Sequence, residues 1–117
     1  MDVTELIDTY CMAWSHPDPK ERELILGLVW TDSGHYTDPG VHAKGKDELL
    51  AHIDRVLLKR PGSRVERTTA VEEHHDVAKF GWAAIDAKGE LVTSGTDIVI
   101  FTSSPAKIER VIGFFDR

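Results

Sequence analysis

The chain has 117 residues, 41% of them hydrophobic and 29% charged, which is enough for one buried core and too little for two independent ones. Its net charge of −6 comes from 14 basic residues scattered among 20 acidic ones, so it offers no basic patch for nucleic acid or an anionic membrane surface. A lone cysteine, Cys11, excludes an internal disulfide, no stretch approaches the roughly 20 apolar residues of a membrane span, and Met1 to Glu5 lacks signal-peptide character. The expectation is one domain over residues 1–117 in a reducing, cytoplasmic setting.

From Val3 to Ser15 the residues Leu6, Ile7, Tyr10, Cys11 and Trp14 recur at helical spacing, and Asp2 with Glu5 three positions on supplies cap chemistry. This first helix ends at His16-Pro17, because the residue before a proline is pushed out of the α region. Asp18 caps a second helix with Pro19 at its first position, and Leu24, Ile25, Leu28 and Val29 form its expected buried stripe. Between Trp30 and Lys46 turn residues surround a short expected strand, His35 to Asp38, closed by Pro39-Gly40. A third helix spans about Lys46 to Lys59, with Leu49, Leu50, Ile53, Val56 and Leu57 on one face and Arg60-Pro61-Gly62 as its stop.

The C-terminal half changes period. β-branched and aromatic residues fall into four expected strands: Arg64 to Val71, Asp76 to Ile85, Glu90 to Phe101 and Lys107 to Phe115. Turns at Ala87-Lys88-Gly89 and Ser103-Ser104-Pro105 are short, so neighbouring strands are expected to run antiparallel. Helices first and strands after is the order of an α+β layer fold.

Four segments resemble the nuclear-transport-factor-2-like, or SnoaL-like, superfamily, which includes ketosteroid isomerase and polyketide cyclases. They are the first helix with Tyr10 and Trp14, the run Tyr36-Thr37-Asp38-Pro39-Gly40 before Gly45 and a helix, the strand Gly95 to Val99, and the closing Arg110 to Asp116. The resemblance spans nearly the whole chain. It implies an α+β cone, three N-terminal helices on a strongly curved and mostly antiparallel sheet, enclosing a cavity for a small apolar molecule. It also implies a homodimer through the sheet's outer face and no cofactor. Compared with the isomerase, it places the catalytic base at Asp38 and the oxyanion donors at Tyr10 and Asp97, a logic of carboxyl tuning described for that enzyme.

Each residue also has a plainer reading. Asp38 before Pro-Gly is ordinary turn chemistry, Tyr10 and Trp14 are ordinary core aromatics, and Asp97 on a two-sided apolar strand suits a salt bridge or backbone hydrogen bonds. His74-His75-Asp76 is a poor metal site, since adjacent strand residues point to opposite faces; no metal is expected. His75 and His52 face either the cavity or water. Trp30, Tyr36, Phe80, Trp82 and Phe114 are core residues of which some line the pocket, which favours an apolar, ring-containing ligand. No phosphate loop, nucleophile elbow or Cys/His dyad is present. The functions left open are a proton-transfer isomerase or cyclase acting on a ketone, a non-catalytic binding or dimerisation module, and an epoxide hydrolase with Arg67 or Arg110 between two carboxylates.

Overall fold

The computed structural model describes residues 1–117. Helices α1 (Val3–Ala13) and α2 (Pro19–Val29) lead into strands β1 (Trp30–Asp38) and β2 (Val41–Lys44). Helix α3 (Lys46–Lys59) then precedes β3 (Arg64–Arg67), β4 (Glu72–His74), β5 (Val77–Ile85), β6 (Leu91–Ser103) and β7 (Ala106–Phe115). The helices start where the caps place them. Asp2 and Glu5 bond each other's backbone N–H in a reciprocal capping box, and Asp18 accepts from the Lys20 N–H at 3.0 Å.

The seven strands form one curled, mixed sheet in the order β2-β1-β7-β6-β5-β3, with β4 pairing the end of β5. All pairs are antiparallel except β1 with β7, which run parallel. The helices pack on the concave face, where Trp30, Tyr36, Phe80, Val99, Ile108 and Val111 join Leu6, Ile7, Leu26, Leu49 and Ile53 in one core. No helix is long and apolar enough to cross a membrane.

Four expectations are corrected here. The β1 strand starts at Trp30 rather than His35 and is held by its parallel neighbour, with an irregularity between Trp30 and His35; β2 is an additional short strand. The expected run Arg64 to Val71 divides, and β3 ends at Arg67. On α2 the buried positions are Arg22, Leu26 and Val29, whereas Leu24 and Leu28 are exposed. Arg22 belongs inside because its guanidinium is satisfied, donating twice to Asp54 (3.1 and 2.8 Å) and once to the His16 carbonyl (2.7 Å). Finally, His75 and Asp76 form a two-residue hairpin tip with φ of 48° and 63°, so His75 is exposed on a turn between β4 and β5.

Candidate active site

Sheet register gathers the polar residues. Asp38 on β1, Gly113 on β7, Asp97 on β6 and Phe80 on β5 form one row across the sheet, since Thr37 pairs with Ile112, Gly113 with Asp97, and Asp97 with Phe80. This row floors a cavity of about 360 Å³, 11 of whose 20 lining residues are hydrophobic. Two glycines make the row fit. A Cβ on Gly113 would lie 2.9 Å from Asp97 Oδ1 and 3.4 Å from Asp38 Cβ, and one on Gly95 would lie 2.7 Å from Trp82 Cζ2. Their bareness lets the two carboxyl groups approach each other and lets the Trp82 indole lie across β6.

Asp97 is 6% exposed and accepts the Trp82 Nε1–H at 2.8 Å through Oδ1, leaving Oδ2 without a protein partner. Burial pushes its carboxyl up to about 7; the Trp82 bond opposes the rise and the neighbouring Asp38 adds to it. Near neutral pH it is therefore protonated in a substantial fraction of molecules.

Asp38 caps a turn, as its plainer sequence reading expects, and also lines the cavity. Its Oδ1 accepts the backbone N–H groups of Gly40 (2.7 Å) and Val41 (3.1 Å), capping the β1–β2 turn, while Oδ2 accepts the Tyr36 hydroxyl at 2.7 Å and the residue lines the cavity. Burial and this carboxylate together hold the Tyr36 phenol far above its ordinary range, so Tyr36 remains a donor.

Tyr10 reaches the cavity from α1. Its ring stacks on Trp30 at 5.7 Å, and its hydroxyl is buried with no hydrogen-bond partner. Such an orphaned group is rare, because leaving a buried donor unmade is costly. Burial raises its phenol well above the usual value, with the neighbouring Tyr36 and Asp97 adding to the rise and the Trp14 indole N–H opposing it. Trp14 (5.5 Å) and His52 (6.1 Å) pack against the Tyr36 ring, and desolvation keeps the His52 imidazole below its ordinary range against the pull of Asp38.

Of the residues singled out in the sequence, Tyr10, Trp14, Tyr36, Asp38, His52, Phe80, Trp82 and Asp97 line this one cavity. Three do not. Trp30 lies behind Tyr10 in the core, its indole N–H donating to the Gly34 carbonyl at 2.9 Å. His75 sits on its remote hairpin tip. Phe114 is 59% exposed, and Phe115 takes the inward place, because β7 carries an extra residue: Phe101 pairs with Ile108 but Ile100 with Arg110. That bulge at Glu109 inverts the alternation beyond it.

Lining residues that sequence reasoning missed include Cys11, whose thiol burial pushes up to about 12 and so keeps protonated, and the mouth residues Lys59, Arg60, Ser63 and Arg64. Those four follow the α3 stop signal, and nothing in their local pattern announces a cavity. No arginine lies between the two carboxylates: Arg67 is bound to Asp8 at 2.7 Å, and Arg110 is exposed on β7. The epoxide-hydrolase arrangement is thus not formed by these residues. No group of three or more His, Cys, Asp or Glu side chains gathers in a metal-binding arrangement.

No protein-family model matches the sequence, and no curated protein matches it. Solved structures do. A candidate isomerase of the SnoaL-like family from Agrobacterium tumefaciens is 29% identical, with 97% of each chain covered and a TM-score of 0.89. A candidate polyketide cyclase from Sinorhizobium meliloti (16% identity, 97% of this chain and 96% of that one, TM-score 0.73) shares the fold. So does a protein of ketosteroid isomerase-like fold from Catenulispora acidiphila, solved with trimethylamine (13% identity, 96% and 85% coverage, TM-score 0.75). The curled sheet over three helices, the cavity it encloses and the full-length likeness to the Agrobacterium protein give this chain the nuclear-transport-factor-2-like fold and support the SnoaL-like resemblance read from its sequence.

Proposed function

We propose that the cavity binds a small, mainly apolar ketone and moves its α-proton. The observation that carries this reading is that Tyr10, whose hydroxyl is buried without a hydrogen-bond partner, lines the same cavity as Asp97 and Asp38. A ketone oxygen placed between Tyr10 Oη and Asp97 Oδ2 accepts a hydrogen bond from each. The Asp38 carboxylate then takes a proton from the adjacent carbon, the C–H electron pair moves into the C–C bond, and the carbonyl π pair moves onto oxygen as enolate. Both donors bind that oxyanion more strongly than the neutral ketone, which is what lowers the barrier. Returning the proton from Asp38 to a different carbon isomerises the substrate; attack of the enolate carbon on a second carbonyl closes a ring. At about 360 Å³ the cavity sits near the small end of ligand pockets, which favours one or two rings.

A second reading has its own observation. Asp38 already accepts three hydrogen bonds, so both of its oxygens are engaged within the protein, as a non-catalytic binding module would tolerate. Exchange of the α-protons of 2-tetralone in deuterated water, followed by NMR, separates the two. The catalytic reading expects exchange that falls by about 10²-fold or more in Asp38→Asn and by a similar factor in Tyr10→Phe. Exchange no faster than in buffer leaves the binding module as the better account.

The same proposal includes a second copy of the chain. On the outer face of the sheet Ile98, Ile100 and Ile112 are half-buried and Phe114 is exposed, with no helix covering them. A matching face on another copy would remove that apolar surface from water.

A further inference from the structure

The cavity is polarised from end to end. Its only lining carboxylates, Asp38 and Asp97, lie in the floor row, whereas its only lining cations, Lys59, Arg60 and Arg64, lie together at the end of α3 and the start of β3. In a chain of net charge −6 this cluster stands against the overall balance. Arg64 is held by Glu66 at 2.6 Å, but neither Lys59 nor Arg60 enters an ion pair. Ser63, 7% exposed, lies beside them with a hydroxyl that makes no hydrogen bond within the protein. Cations at a helix C-terminus complement its dipole. That accounts for where Lys59 and Arg60 fall along the chain, but not for their side chains lining the cavity together with an unpartnered hydroxyl.

We infer that the ligand is an organic anion, whose charged group sits at the mouth against Lys59, Arg60 and Ser63 while its apolar ring runs inward to the Asp38–Asp97 floor. An anion so placed is recognised by two cations free of ion pairs and a hydroxyl donor, and it is kept away from the floor carboxylates by like-charge repulsion. Orientation follows: the charged end cannot enter first, so the carbonyl end meets Tyr10. The inference rests on the ketone reading of the floor only for what lies at that inner end.

The test compares 6-hydroxy-2-naphthoate with its methyl ester by calorimetry, two probes of equal ring size that differ in charge at one end. The carboxylate is expected to bind about tenfold more tightly at low ionic strength, with the preference shrinking as salt is added. In the Lys59→Gln/Arg60→Gln double variant, both of whose sites are on the surface, the two probes are expected to bind alike, and Arg60→Lys in an otherwise unchanged chain is expected to retain the preference. Equal affinities in the unaltered protein, or a preference that survives loss of both charges, overturns the inference. Tyr10→Phe separates this outcome from failure of the floor reading: it is expected to weaken both probes equally, and if it weakens neither while the carboxylate preference persists, the floor assignment falls and the mouth assignment stands.

Discussion

Replacing Asp97 with Asn exposes the energetic cost of the floor. Folding raises this carboxyl from an ordinary 3.8 to about 7, and at about 1.4 kcal/mol per pH unit that corresponds to at most about 4 kcal/mol. The sign follows from proton counting. Between those two values the folded chain holds a proton that the unfolded chain has released, so the contribution to stability is complete below 3.8 and is lost as pH rises through about 7. Asn cannot ionise, keeps an oxygen for the Trp82 N–H, and keeps an N–H where the acid would donate. The variant should therefore be more stable than the parent by about 2 to 4 kcal/mol near about pH 8.5, and the pH-dependent part of that gain should shrink to about 1 kcal/mol near about pH 4.5. Urea denaturation of both proteins at several pH values reads this directly, since the titrating groups that do not interact with Asp97 are common to the pair and cancel in the difference. A difference that does not change with pH would refute the reasoning, because it would mean that Asp97 ionises in the folded protein as it does in an unfolded chain.

Gly113→Ala drives a methyl group to 2.9 Å from Asp97 Oδ1 and 3.4 Å from Asp38 Cβ, so thermal denaturation should show a loss of about 1 to 3 kcal/mol, and any preference for a phenolate over a ketone should fall as the carboxyl groups move apart. Light scattering at micromolar concentration should report a dimer, and Ile98→Lys with Ile112→Lys should convert it to a folded monomer; a monomeric parent protein would remove the outer-face interface.

The helices were legible because their signals are local. Asp2, Glu5, Asp18 and Pro19 act within one turn of where they stand, and α3 follows its apolar stripe from Lys46 to Lys59. The α2 face was misread because Leu24 and Leu28 have the composition of a buried stripe, while the partner that makes Arg22 buriable, Asp54, lies on another helix. Strand β1 was under-read because Asp32, Ser33 and Gly34 look like a turn, and only pairing with β7, which arrives at the end of the chain, makes them part of a strand. Phe115 rather than Phe114 faces inward because a bulge changes the parity of alternation, and an added residue leaves no mark in composition. The carboxyl whose titration the fold perturbs is Asp97, whose surroundings, Trp82 and Gly113, come from strands that sequence order does not reveal as neighbours.

The cavity's floor and its mouth differ in how the chain reaches them. Asp38 and Asp97 come together only when β1, β7 and β6 are all in register, so the arrangement of the floor depends on contacts between distant parts of the sequence. Lys59 ends α3, Arg60 and Ser63 lie in the short connection that follows, and Arg64 begins β3, and no strand pairing of the floor row passes through this stretch. Under the proposed function, exchanging the stretch from Lys59 to Arg64 for another of similar length would alter which ligands are admitted while leaving the carboxylate row in place, so selectivity and reactivity would be separable.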